Sequence, residues 1–151
     1  MRRLFVASLV LTASCASFTT SARKTLAASA HVLVQADEYS ASLYEDAATE
    51  ARQVARSLAE YQLRMEEYDE LETTLRAAHI ALLAAEAGLD VYDETGRKID
   101  FVTGVACVAE IFADLGDRLG DITGESFAPV AGVMSALKTY GGECHNERFA
   151  H

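Results

Sequence analysis

The sequence predicts an all-α fold: a long helix or helical hairpin with two shorter helices packed on its distal end. Three observations carry this. All nine glycines and the single proline lie from Gly88 onward, so the first half holds no strong helix breaker. Apolar residues then recur at alternating steps of three and four, the spacing of one helix face. Half the residues are hydrophobic, too many for a disordered chain, and alanine supplies much of that share, which predicts thin helix contacts.

The N-terminal segment, residues 1–15, reads as an address and not as part of the fold. Met1-Arg2-Arg3 is a short basic start, Leu4 to Leu11 is apolar, and Thr12-Ala13-Ser14-Cys15 is small and polar. A spanning helix needs roughly 20 mostly apolar residues, and this run fades after Leu11. A cleaved export signal is the expectation, with an uncleaved signal anchor or a cytosolic N-terminal helix as the alternatives.

Leu11-Thr12-Ala13-Ser14-Cys15 resembles the lipobox of bacterial lipoprotein precursors. Ala13 and Ser14 fit that pattern, while Thr12 stands where the family prefers Leu. The resemblance implies that Cys15 becomes the first mature residue and carries the lipid, which anchors the chain permanently. Ala16, with no acidic residue beside the cysteine, implies by the same analogy the outer membrane of a Gram-negative cell. Ordinary cleavage offers two other sites: after Ala16, with Ser14 and Ala16 as the small pair, or after Ala22, with Thr20 and Ala22. Arg2-Arg3-Leu4-Phe5-Val6 looks somewhat like a twin-arginine signal, but a plain basic start explains it.

Residues 16–89 are expected to form a helical stalk. Ala47, Ala51, Val54, Leu58, Tyr61, Met65 and Tyr68 form one heptad seam, and Leu71, Leu75, Ala78, Leu82, Ala85 and Leu89 form another. The two join with a step of three where four was due, so either the helix bends near Glu66–Glu70 or its partner changes. An unbroken helix from Thr25 to Ala87 would span ~95 Å, which itself suggests a coiled coil or hairpin. Gly88 is expected as its C-terminal cap, followed by a turn from Asp90 to Lys98 with Gly96 at positive φ.

Residues 90–140 are expected to hold a distal bundle. Phe101, Val105, Val108, Phe112, Leu115 and Leu119 make a clean buried stripe. Ser126 is a candidate cap for a last helix, with Pro129 in its first turn and Phe127, Val130, Met134 and Leu137 as its apolar face. Gly141-Gly142 stops it, and residues 141–151 form a polar tail. Apart from Cys15 the only cysteines are Cys107 and Cys144. An even pair in an exported chain predicts a disulfide, worth roughly 3–4 kcal/mol by the chain-entropy model. The alternative is two unpaired thiols, with Cys107 packed as a small apolar residue.

Without Arg2 and Arg3 the chain carries 11 basic and 23 acidic residues. Such a surface repels phosphates, so nucleic acid is excluded as a partner. The acidic run Glu66, Glu67, Asp69, Glu70 and Glu72 points around a helix axis instead of converging, so it reads as a solvated face and not a metal site. His79 has no partner that sequence spacing singles out, and His31, His145 and His151 lie near the ends. Tyr39, Tyr44, Tyr61 and Tyr68 read as packing residues with wet hydroxyls. No phosphate loop, nucleophile elbow or zinc-protease motif occurs. The resulting expectation is a non-enzymatic, envelope-anchored helical scaffold without cofactor, facing the periplasm or exterior. It would bind a protein partner and could self-associate. The rivals are a phage-type lysis or exclusion lipoprotein and a periplasmic helical ligand-binding module.

Overall fold

The computed structural model describes residues 2–144, with side chains from Phe18 to Cys144. Among the described residues the chain forms four helices and no strand: α1 (Arg2–Val54), α2 (Leu58–Thr95), α3 (Ile99–Thr123) and α4 (Ala128–Lys138). Cys15 falls where no side chain is described. His145 and His151 also lie outside the described residues.

The long helical stretch is a hairpin. It breaks at Ala55–Ser57, where the sequence shows neither glycine nor proline. Ser57 takes an extended conformation, and its hydroxyl accepts from the Glu60 N–H at 3.2 Å. The Glu60 carboxylate in turn accepts from the Arg56 N–H at 2.9 Å and from Arg64 at 3.2 Å. This is a capping box whose glutamate reaches one residue further back than usual. It holds the Glu60 carboxyl below its ordinary range, chiefly through the Arg56 backbone bond. The chain reverses here, so Val54 and Leu58, expected on the seam, are exposed.

The antiparallel register is visible in side-chain pairs that step inward from the open end: Arg23 with Asp93, Asp37 with His79, and Tyr44 with Tyr68. Within α1 the seam begins far earlier than Ala47. Ala22, Leu26, Ser29, Leu33, Ala36 and Ser40 are all buried at heptad steps. Ser29 meets the need of a buried polar group for a hydrogen bond by donating to the Thr25 carbonyl at 2.9 Å.

α2 is unbroken through Glu66–Glu70, so the slipped step there is a change of partner and not a bend. Met65 belongs to a small cluster at the hairpin tip with Ala48 and Ala51, and Tyr61 and Tyr68 pack against it. From Leu71 onward α2 joins the main core, where α3 packs on a second face. That core draws on α1 as well as on α2, α3 and α4, so it crosses residue 89 without a division.

Gly88 is not a cap. It lies inside α2, and the turn expected from Asp90 to Lys98 shrinks to Gly96–Lys98. The C-cap is Gly96, at φ 73°, whose N–H bonds the Tyr92 carbonyl. Gly88 instead lets α3 approach: a Cβ there would lie 2.9 Å from the Phe101 nitrogen. Gly104 does the same from the other side, since its Cβ would lie 2.9 Å from the Ala85 Cα. Phe101, Val105, Val108, Phe112, Leu115 and Leu119 then bury fully or almost fully.

α4 packs on α3 and α1. Its N-cap is Phe127 and not Ser126, with no side-chain cap bond, and Pro129 sits in the first turn. The ring of Phe127 stacks on Tyr39 of α1 at 5.8 Å, so packing substitutes for the missing cap. Val130 and Leu137 are buried, and Val133 joins them. Past α4 the chain turns at Gly141 and Gly142, and the Cys144 sulfur stands at disulfide distance (2.02 Å) from that of Cys107.

The open end of the hairpin is closed by aromatic rings from every quarter. Phe18 meets Tyr92, Phe101 and Tyr140 edge-on at 5.2, 5.7 and 5.8 Å. The Lys98 ammonium lies 4.8 Å from the Phe18 ring centre. Beside them Arg23 bridges Asp90 at 3.0 Å and Asp93 at 2.7 Å, and Thr19 donates to Asp93 at 2.8 Å.

Two outcomes follow from these contacts. Gly104→Ala should lower stability by about 1–3 kcal/mol through overpacking. Intrinsic helix preference alone would favour alanine over glycine by about 1 kcal/mol, so the sign of the change in a denaturant titration decides. The second concerns acid. Bonds from Arg23, then Thr19, hold the Asp93 carboxyl below its ordinary range. A depressed carboxylate stabilises above its unfolded value, about 3.9 for aspartate, and that contribution is lost as pH falls through the lower folded value. Melting temperatures measured down to strongly acidic pH should therefore fall less steeply for Asp93→Asn than for the parent.

Candidate functional site

Two places were weighed for chemistry in the sequence and read as structural, the acidic run and His79, and the structure treats them differently. The acidic run lies along α2, and part of it is tied to α3. Arg118 of α3 bonds Glu70 at 2.5 Å and Asp114 at 3.1 Å, and Thr74 donates to Asp114 at 3.3 Å. These bonds raise the Arg118 pKa above its ordinary value, Glu70 contributing most. Among the described residues, no group of three or more histidine, cysteine or acidic side chains is placed to hold a metal ion.

His79 does have a partner, and sequence spacing could not show it. The hairpin brings Asp37 of α1 to 2.7 Å from the His79 Nε2. Both side chains are partly exposed, so the contact acts as a bridge across the helix pair and not as a sealed dyad. No serine, cysteine or further carboxylate is hydrogen-bonded to it among the described contacts. The contact orients an imidazole but supplies no nucleophile for it to activate.

The same pair sits on the rim of a groove between α1 and α2. The groove has a volume of 520 Å³ and lies among Ser40, Ala41 and Tyr44 of α1 and Tyr68, Leu75, Ile80 and Leu83 of α2. Leu75 is buried and forms part of the floor. Tyr44 and Tyr68 meet edge-on at 6.5 Å near the tip end, and burial pushes the Tyr68 phenol up, helped by the charges of Glu67 and Glu50. Ile80 and Leu83 are 48% and 66% exposed along one flank. The charged rim is internally paired: Asp37 with His79, and Arg76 with Glu72 at 2.9 Å. An apolar trough with a paired polar rim is what a docked helix or small apolar ligand requires.

Seam reasoning missed this groove because it followed only the residues that bury. Ile80 and Leu83 lie off the seam, three apart on the outer side of α2. Two large aliphatic residues three apart, off the seam in an alanine-rich stretch, were the available signal.

A smaller opening of 310 Å³ runs between α3 and α4 past Met134 and Leu137 to Gly141 and Gly142. The stripe from Phe101 to Leu119 does not line a cavity of comparable size, because it is buried in the shared core.

Comparison with protein-family models, with curated proteins and with solved structures gives no match for this chain. Among the described residues, no helix is long and apolar enough to cross a membrane.

The cysteine pair offers a direct measurement. Alkylation without reductant should leave Cys107 and Cys144 unlabelled, and reduction should add two labels per chain in the intact mass. Two labels before reduction would show two free thiols.

Proposed function

We propose that this chain is a non-enzymatic, envelope-anchored helical lipoprotein that displays a groove to a helical protein partner. The observation that carries the reading is the trough between α1 and α2, flanked by exposed Ile80 and Leu83. An amphipathic helix laid along the trough would cover these aliphatic flanks. The lipobox-like Leu11–Cys15 supports the anchor, and the paired placement of Cys107 and Cys144 supports an oxidising compartment.

On this reading the parts sit differently from a plain stalk with a bundle at its far end. Cys15 precedes Phe18 by one helical turn, so the anchor lies beside the aromatic end of the four-helix core. The bare hairpin tip at Ala55–Ser57 then points outward, ~55 Å away at the standard helical rise. The groove lies between the two. Cleavage after Ala22 fits less well, because it would remove Phe18 from the ring cluster and Thr19 from Asp93.

A periplasmic ligand-binding module is the second reading, and the groove volume is its support. At 520 Å³ it falls in the range of small-molecule sites. Its open trough shape suits a helix better.

Two measurements test the proposal. Cys15→Ala should move the protein from the membrane to the soluble fraction or block its maturation. Unchanged fractionation and mass would remove the lipid anchor. A photo-crosslinking residue at position 83 should give one discrete adduct in intact envelopes, and one at Asp117 on α3 should give none. Equal labelling from both positions, or none from position 83, would remove the docking groove.

A further inference from the structure

The surface of the bundle is not evenly charged. Between residues 44 and 72, around the hairpin tip, nine acidic residues face three basic ones. At the aromatic end Arg23, Lys24, Arg97 and Lys98 stand against Asp90, Asp93, Glu94 and Asp100, an even balance. Several of these are spent on one another: Arg23 holds Asp90 and Asp93, and Arg97 holds Asp100 at 3.0 Å. Among the described residues, the end where α1 enters the core thus carries balanced charge, unlike the acidic tip.

The turn joining α2 to α3 lies at this same end. Lys98 reaches over the Phe18 ring, which fixes the turn at the level of Phe18. Directly after it, Ile99 begins α3 with 66% of its surface exposed. Ile99 stands bare between the cations Arg97 and Lys98 and the carboxylate of Asp100. Cys15 stands three residues before Phe18, a rise of ~4.5 Å along a helix. For an uncleaved anchor, the apolar run ending at Leu11 stands seven residues away, ~10 Å. Either attachment brings the turn to the depth of lipid headgroups.

We propose that the α2–α3 turn, Gly96 to Ile99, is seated in the headgroup layer of the bilayer that anchors the chain. Ile99 enters the apolar boundary, while Arg97 and Lys98 stay among phosphates, as amphipathic cations do at membrane interfaces. The acidic tip is repelled from the same surface, so the hairpin stands away from it. The anchor then fixes orientation as well as location, and it turns the groove sideways to the bilayer. This inference rests on the anchoring reading and adds a contact surface to it.

The chain contains no tryptophan, so a single reporter can be placed at will. The experiment uses the full lipidated chain carrying Ile99→Trp, or Leu63→Trp at the exposed tip as the distant control. Each is reconstituted in vesicles of phosphatidylcholine and phosphatidylglycerol with brominated acyl chains. Emission from Ile99→Trp should fall by roughly half, as for a ring seated ~5–10 Å into the boundary, and that from Leu63→Trp should not change. Equal emission from both while the protein still floats with the vesicles would overturn the seat and leave the anchor standing. Quenching of Leu63→Trp alone would also overturn it, by reversing the orientation. Failure of either variant to float would remove the anchor, and the seat with it.

Discussion

α2 is gripped on two sides, and the closeness of its contact with α3 governs how the other helices can sit. Gly88 and Gly104 carry no side chain at the points where the two backbones meet, and Ala85 fills the remaining gap. With the axes this near, the stripe from Phe101 to Leu119 reaches across to Leu71–Leu89 and is sealed. α1 covers another side with alanine, serine, leucine and Val32, and with Phe18 at the open end. A wider spacing at these glycines would open the core to water and uncouple α3 from the hairpin.

The short list of contacts that position the groove follows from this arrangement. Its α2 flank is the side that neither α1 nor α3 covers, which is why Ile80 and Leu83 remain bare. Its rim is tied by pairs made across and along the hairpin, Asp37 with His79 and Arg76 with Glu72.

Much of the fold was legible in the sequence. The α3 stripe, the α4 face and the positive φ of Gly96 follow from spacing and residue type alone. The hairpin break was legible too, in Ser57 and Glu60, but an uninterrupted heptad rhythm ran across it and masked the cap. The early part of the α1 seam was hidden for a different reason. Ser29 and Ser40 occupy buried steps, and a pattern search that counts only apolar residues passes over them. Gly88 misled because a glycine near the end of a periodic run looks the same whether it serves as a cap or as a contact. The groove was the least legible part. It exists only once α1 folds back on α2, and its partner residues, such as Asp37 and His79, are forty-two positions apart in the chain.

The contact between Cys107 and Cys144 has a consequence for timing. Synthesis delivers the N-terminus first, and the two sulfurs are 37 positions apart in sequence. At ribosomal speed that gap takes about 2–7 s, whereas helical bundles pack in microseconds to milliseconds. α1, α2 and α3 therefore have ample opportunity to assemble while α4 is still unfinished. A bond between these sulfurs would close over a bundle already built, and so would preserve an arrangement that other forces chose.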